Sequence, residues 1–213
     1  YIMNSSIRVS DVFQPSWKYT KSQIWILAGL YIGYIIISFT LGIFVSAANG
    51  SVGGSLLSAL VSMVLAAMFY LGYFQNMFQT MDGEEPQFSA YLQSPQKIIN
   101  VIVATLVYGI VVLLGTVLLI IPGIYVAIRL QFFLMFILDE NAGAIEAMRK
   151  SWRLTQGRFG FLFLLGLTQI LITIIGLCLL GIGYFVAIPL IMMMECYTYR
   201  LLNSPLLKFP TLK

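Results

Sequence analysis

The sequence predicts an all-α, polytopic transmembrane bundle: six helices in three hairpins, interfacial amphipathic helices, and both termini cytoplasmic. Three observations carry that prediction: the composition, six long apolar runs, and the placement of the basic residues. Of 213 residues, 60% are hydrophobic and 9% charged, against about 45–50% apolar and about 25% charged in an average soluble domain. Eight acids and twelve bases cannot cover the outside of a water-soluble fold of this length. Lipid is therefore the solvent for most of the surface.

A helix needs about 20 apolar residues to cross the bilayer, because each residue advances about 1.5 Å and the hydrocarbon is about 30 Å thick. Residues 1–22 lack the apolar core of a signal peptide. The uncharged run Ile24 to Ala47 is then the first crossing and an uncleaved signal-anchor. The turn-rich stretch NGSVGG (Asn49 to Gly54) leads into the second, Ser55 to Phe78. The third, Ile98 to Ile121, stops at Pro122-Gly123, and a fourth follows from Ile124 to Leu138. A single helix kinked at Pro122 is the alternative, but the two runs together are far too long for one crossing. The fifth, Phe159 to Leu180, is separated by GIG (Gly181 to Gly183) from the sixth, Tyr184 to Leu202.

The bases fall outside these runs or at the end of the last, with Arg129 the exception. Arg8, Lys18 and Lys21 precede the first, and Lys97 lies between the second and third. Arg149, Lys150, Arg153 and Arg158 lie between the fourth and fifth; Arg200, Lys208 and Lys213 close the chain. With six crossings all of these share one side, and the opposite connections are uncharged. The positive-inside rule makes that side the cytoplasm. Short groups of bases between apolar runs are juxtamembrane anchors and not the continuous face a nucleic acid needs. With no histidine, the commonest general base and metal ligand is missing. Cys178 and Cys196 read as small buried hydrophobes, and no cofactor or metal is expected.

The chain repeats itself. SWKYTKSQIWIL (Ser16 to Leu27) and SWRLTQGRFGFL (Ser151 to Leu162) share Ser-Trp-base, a Thr four residues after the Ser, and a following apolar run. FSAYLQSPQKIINVIV (Phe88 to Val103) is a looser copy. The return strokes IYVAIRL (Ile124 to Leu130) and YFVAIPL (Tyr184 to Leu190) also agree. Three pseudo-repeats follow, at about 12–79, 86–138 and 143–202, each an interfacial helix feeding a hairpin inside one domain spanning 1–213. In the third, Gly143, Ala147 and Ser151 form a small-residue stripe, with Ile145, Met148 and Trp152 on an adjoining apolar face. In the second, Pro86 suits a first helical turn and Pro95 ends the piece. Such helices lie among headgroups, and Trp17, Lys18, Lys21, Arg149, Lys150, Trp152, Arg153 and Arg158 are the contacts to lipid or to a docked partner.

DENAGAIEAMRKSWRLTQGRFGFLFLLGL, preceded by IPGIYVAIRLQF and followed by LLGIGYFVAIPL, resembles a broad group of uncharacterised bacterial integral membrane proteins. That group includes the membrane domain found beside some glycerophosphodiester phosphodiesterases. The resemblance covers about Gly83 to Leu202 and rests on Pro122-Gly123, Arg129, Ala147, Ser151, Trp152, Gly157 and Pro189. It implies a six-helix inner-membrane module and no phosphodiesterase activity, since no such catalytic domain is present.

An ionisable group inside the bilayer is costly and marks a candidate site. Arg129 lies ten residues before Asp139, about 15 Å in, and Glu195 five residues before Arg200, about 8 Å in. They form a buried pair, serve a polar site or ion path, or stand apart with Glu195 beside Arg200. Gln131 and Gln169 extend a polar interior or make interhelical hydrogen bonds worth about 0.6 kcal/mol each. The small-residue spacing Gly29-xxx-Gly33 suits close helix packing within the chain. Asp139 and Glu140 read as solvated loop charge. The expected function is a non-enzymatic scaffold or accessory subunit that binds membrane lipids or a partner membrane complex, and no nucleic acid. The alternative is a small-solute or ion transporter using Arg129 and Glu195.

Overall fold

A computed structural model describes residues 7–48, 52–179 and 183–203. Asn49 to Ser51, Gly181, Ile182, Lys208 and Lys213, all used in the topology reading, lie outside the described residues. The helices are α1 (Val9–Ser22), α2 (Ile24–Ala48), α3 (Val52–Met81), α4 (Pro95–Leu118), α5 (Ile120–Leu130), α6 (Phe133–Glu140), α7 (Ala144–Leu154), α8 (Phe159–Cys178) and α9 (Tyr184–Asn203), with a 3-10 turn at Phe88–Tyr91. No strand occurs among the described residues. Six stretches are long and apolar enough to cross a membrane: Ile24–Ile43, Gly53–Met81, Pro95–Leu118, Ile120–Glu140, Phe159–Cys178 and Tyr184–Asn203. The protein is built as a multi-pass membrane protein.

Consecutive helices pack as α2 on α3, α4 on α5 and α8 on α9. Neighbouring pairs meet as α3 on α4, α5 on α8 and α9 on α2, so the order of contacts closes on itself. The elements that precede the pairs follow the same order: α1 lies on α9, the 3-10 turn on α3, and α7 on α5 and α6. α1 buries Val12, Ser16 and Thr20, one stripe spaced by four; α7 buries Ala147 and Ser151, and Thr155 continues its stripe. Spacing by four keeps each stripe on one helical face.

Packing divides the molecule in two. Burial concentrates in the second half of α3, in α6, in α9 and in the elements wrapped around them; Phe132, Met135, Ile137, Met193, Met194 and Tyr199 are all within 1% of fully buried. Towards the other end, large apolar side chains face outward: Ile36 and Phe39 on α2, Leu56 and Leu60 on α3, Leu113 and Val117 on α4, and Ile170 and Leu171 on α8. In water such a surface would drive aggregation; against lipid tails it needs no cover.

Several sequence expectations are revised. The turn before the fourth span lies at Leu119, not at Pro122-Gly123. Pro122 sits in the first turn of α5, where amide N–H groups have no intrahelical acceptor and a proline costs nothing. Gly123 serves packing: a Cβ there would lie 2.8 Å from the Thr116 amide nitrogen. The second interfacial element is a four-residue 3-10 turn and not an amphipathic helix. It fits against α3 because Gly72 has no side chain; a Cβ would come 2.8 Å from the Tyr91 Cα. Pro95 opens α4, capped by Ser94, whose hydroxyl accepts the Lys97 N–H. Gly157 ends the α7 segment in the left-handed region, at φ +75°, as its position predicts. Cys178 is exposed, while Cys196 is buried. On α7, Met148 joins the buried stripe, whereas Ile145 and Trp152 stay exposed.

The fourth span is also broken, between α5 and α6. Backbone N–H and C=O groups freed inside a membrane protein must find partners within the protein. α7 supplies them. The Phe132 N–H donates to Ser151 Oγ at 3.1 Å, and the Ser151 hydroxyl donates to the Arg129 carbonyl at 3.0 Å. Thr155 Oγ1 lies 3.1 Å from the same carbonyl and 2.9 Å from the Ser151 carbonyl of its own helix. α7 therefore doubles back along α6 until residues 151–155 meet residues 129–132.

Two predictions follow from this packing. Gly123→Ala forces Cβ into the Thr116 backbone, an overpacking of the kind that costs about 1–3 kcal/mol. It should lower the melting temperature in detergent, whereas Gly109→Ala, with open space around the added methyl, should not. Ser151→Ala strands a buried N–H and should cost about 1–3 kcal/mol. Its sequence counterpart Ser16 has a fully buried hydroxyl with no hydrogen-bond partner among the described residues, so Ser16→Ala should be neutral or stabilising in the same unfolding assay.

Candidate functional site

The break brings three elements together around one cation. Arg129, in the last turn of α5, is 4% exposed. Its guanidinium carbon lies 4.6 Å from the Trp152 ring centroid on α7 and 5.7 Å from that of Tyr125, one helical turn earlier. Tyr125 meets Trp152 edge-on at 5.9 Å and packs against Phe159, the first residue of α8, at 5.2 Å. Cation–π contacts of this type contribute about 0.5–2 kcal/mol each. Among the described residues no carboxylate pairs with Arg129, and its Nε is buried without a partner.

Glu195 does not reach it. The carboxylate on α9 instead lies within electrostatic range of Tyr70 on α3 and Tyr108 on α4. The buried-pair expectation therefore fails. Nor does Glu195 sit in an ion pair with Arg200. That guanidinium holds Asp82 by two hydrogen bonds, one of 2.7 Å, and lies 4.7 Å over the Phe78 ring. Gln131 falls at the break, its Nε2 buried with no partner among the described residues; Gln169 is half-buried along α8.

The acids expected as free loop charge at the packed end are tied down. Asp139 accepts from the Tyr199 hydroxyl at 3.0 Å, and Glu140 from Asn203 at 3.1 Å and Lys150 at 2.9 Å. Lys150 also bonds Glu146 at 2.7 Å, and this ammonium holds the Glu146 carboxyl below its ordinary value. Lys97 Nζ donates to the Leu138 carbonyl at 2.8 Å, fixing the start of α4 to the end of α6. Of the surface candidates, Trp17, Lys18, Lys21, Arg149, Trp152, Arg153 and Arg158 are exposed, and Lys150 is half-buried in its ion pairs.

A second feature is an apolar groove of about 570 Å³ between α2, α3 and the 3-10 turn. Gly29 and Gly33 form its floor on α2, Leu65 and Phe69 its wall on α3, and Trp25 and Phe88 its rim. A Cβ on either glycine would meet nothing within 4 Å, so this small-residue pair opens a groove and does not seat a neighbouring helix of the chain. Trp25 and Phe88 are among the most exposed aromatic side chains, at 87% and 81%.

Sequence reasoning underrated Ser151, Thr155 and Tyr125. Their signals were present: Ser and Thr spaced by four in both copies, and Tyr spaced by four from Arg129. What was missing was the break at Gln131, which no glycine or proline announces.

Comparison with known proteins adds kinship without an activity. The uncharacterized protein Rv2560 of Mycobacterium tuberculosis and the uncharacterized protein Mb2590 of Mycobacterium bovis are each 25% identical over 146 residues, covering 68% of this chain and 44% of the relative. The chain thus spans less than half the length of these bacterial relatives. No solved structure matches it. The model of the domain of unknown function DUF7847 matches residues 89–212, more than half of the chain and the whole of the Arg129 cradle, and the protein belongs to the DUF7847 family.

Proposed function

We propose that this protein is a non-enzymatic integral membrane module that holds membrane lipid in its lateral surface, acting as a scaffold or accessory subunit in the bacterial inner membrane. The observation that carries this reading is the groove between α2 and α3. Its lining is almost wholly apolar, and Trp25 at its rim is of the type that settles at headgroup level. A slot with these properties suits an acyl chain, not a solute that must keep its hydration. The separation of Arg129 from Glu195 weighs against the transporter alternative, which needs several polar groups facing one path.

The proposal includes a triplicated architecture. Each unit is a short element followed by a helical hairpin, and each short element docks on the second helix of the unit before it. The cyclic order of contacts supports this. So does the agreement between the stripes Val12-Ser16-Thr20 and Ala147-Ser151-Thr155. Both chain ends and the basic connections are assigned to the cytoplasm: the residues that meet at the packed end, Asp82, Lys97, Glu140, Lys150, Arg200 and Asn203, are those flanking the crossings on the basic side. Kinship with the membrane domain beside glycerophosphodiester phosphodiesterases, and docking of a partner membrane complex on the exposed bases, are parts of the same reading.

Filling the groove tests it. In Gly33→Phe the new side chain occupies the slot, and a bound chain loses roughly 0.8 kcal/mol for every methylene it no longer buries. Phospholipid retained through detergent purification, measured by mass spectrometry, should drop severalfold with the melting temperature of the delipidated protein unchanged. Equal retention by wild type and variant, or Arg129-dependent solute uptake into proteoliposomes, would refute the reading.

A further inference from the structure

We propose that Arg129 binds the phosphate of an anionic phospholipid, at a site built by the end of α5, the end of α7 and the start of α8. This rests on the lipid-binding reading above but concerns a different surface from the groove.

The guanidinium carries five N–H donors in a planar fork that matches two oxygens of one phosphate or carboxylate. Arg129 is 96% withdrawn from solvent, and its Nε is buried with no hydrogen-bond partner among the described residues. A buried cation held only by two aromatic rings is under-compensated. The missing partner is an anion with oxygen acceptors. The carboxylates of the packed end are engaged elsewhere: Glu140 and Glu146 both bond Lys150, Asp139 bonds Tyr199, and Asp82 bonds Arg200.

The surroundings favour a lipid as the source of that anion. Trp152 and Tyr125, the rings that flank the guanidinium, are 38% and 39% exposed. Arg153 and Arg158 are exposed beside them. The amino end of α8, whose first ring lies on Tyr125, adds the positive end of a 20-residue helix. Next along the chain, α8 presents Phe163 and Leu164 outward, and α5 presents Ile121 and Ile124. Positive charge and amide donors thus adjoin a surface fit for acyl chains.

The level is also right. Counting residues from Asp139 sets Arg129 about 15 Å into the bilayer, but α6 is enclosed by protein and α7 doubles back along it. The hydrogen bonds from Ser151 and Thr155 to the Arg129 carbonyl set the exposed base Arg153 at the height of Arg129. A long arginine side chain at that height snorkels, keeping its stem along apolar surface and its charged head towards the headgroup layer.

The experiment compares wild type and Arg129→Met, delipidated in neutral detergent, for binding of phosphatidylglycerol, phosphatidylcholine and inorganic phosphate by thermal shift and native mass spectrometry. Wild type should prefer phosphatidylglycerol, and Arg129→Met should bind it about ten- to a hundredfold more weakly. Without lipid, the variant should melt no lower than wild type, because it lacks the uncompensated charge. Equal phosphatidylglycerol affinity in both proteins would overturn the site while leaving lipid binding intact. No phospholipid binding by wild type at all would overturn the lipid-binding reading with it. Stabilisation by inorganic phosphate as strong as by phosphatidylglycerol would make a free anion the ligand and overturn the lipid assignment. If Arg129→Met does not fold, a headgroup-photoreactive phosphatidylglycerol on wild type decides: labelling of residues 125, 152, 153 or 159 supports the site, and labelling confined to other segments overturns it.

Discussion

The interaction on which the rest depends is the pair of hydroxyls that α7 delivers to the broken fourth span. A helix interrupted in a membrane protein exposes polar backbone that lipid cannot satisfy. Ser151 closes the gap from both sides, accepting the Phe132 N–H and donating to the Arg129 carbonyl. That contact fixes where α7 lies, and α7 in turn encloses α6. The start of α8 follows within a few residues, so its position beside Tyr125 is set by the same docking. The aromatic cradle of Arg129 is assembled as a consequence.

The same logic separates the two ends of the molecule. At the packed end, short elements cover the second helices of the pairs, and the buried side chains form one apolar core. Polar groups there pair across elements: Arg200 with Asp82 as an ion pair, Lys150 with Glu140 as another, and the Tyr199 hydroxyl with the Asp139 carboxylate. Towards the other end the helices show Ile, Leu, Val and Phe to their surroundings, and only lipid makes that arrangement stable. Two solvents thus act on one chain, and the aromatic and basic residues of α1, α7 and the 3-10 turn lie where they meet.

Much of this architecture is legible in the sequence. The ends of the observed spans match those of the apolar runs to within four residues, because hydrophobic length is the dominant signal when the bilayer is the solvent. The repeated Ser-Trp-base and Thr spacing points to the docking stripe, although tryptophan draws attention to the exposed face while Ser and Thr carry the buried one. Pro122-Gly123 misleads for a physical reason: the pair is common in turns, yet proline is equally at home in a first helical turn and glycine in a close helix crossing. The Arg129–Glu195 pairing fails because residue counting yields depth but not azimuth. Glu195 faces α3 and α4, whereas Arg129 faces α7. The break at Gln131 has no local signal, since Gln-Phe-Phe is compatible with a continuous helix and only the hydroxyls of α7 make the interruption affordable.

The Arg129 cradle and the α2–α3 groove lie on different surfaces and offer two chemistries, a cation fork and an apolar slot. Both depend on short elements held against long helices, and the best-defined of these attachments is α7 on the fourth span. Amide hydrogen exchange at Phe132, followed in lipid nanodiscs, reads that attachment directly. The account predicts strong protection in the wild type and markedly faster exchange when Ser151 is replaced by alanine, with the amides of α4 unaffected. Rapid exchange at Phe132 in the wild type, or protection indifferent to Ser151, would contradict it.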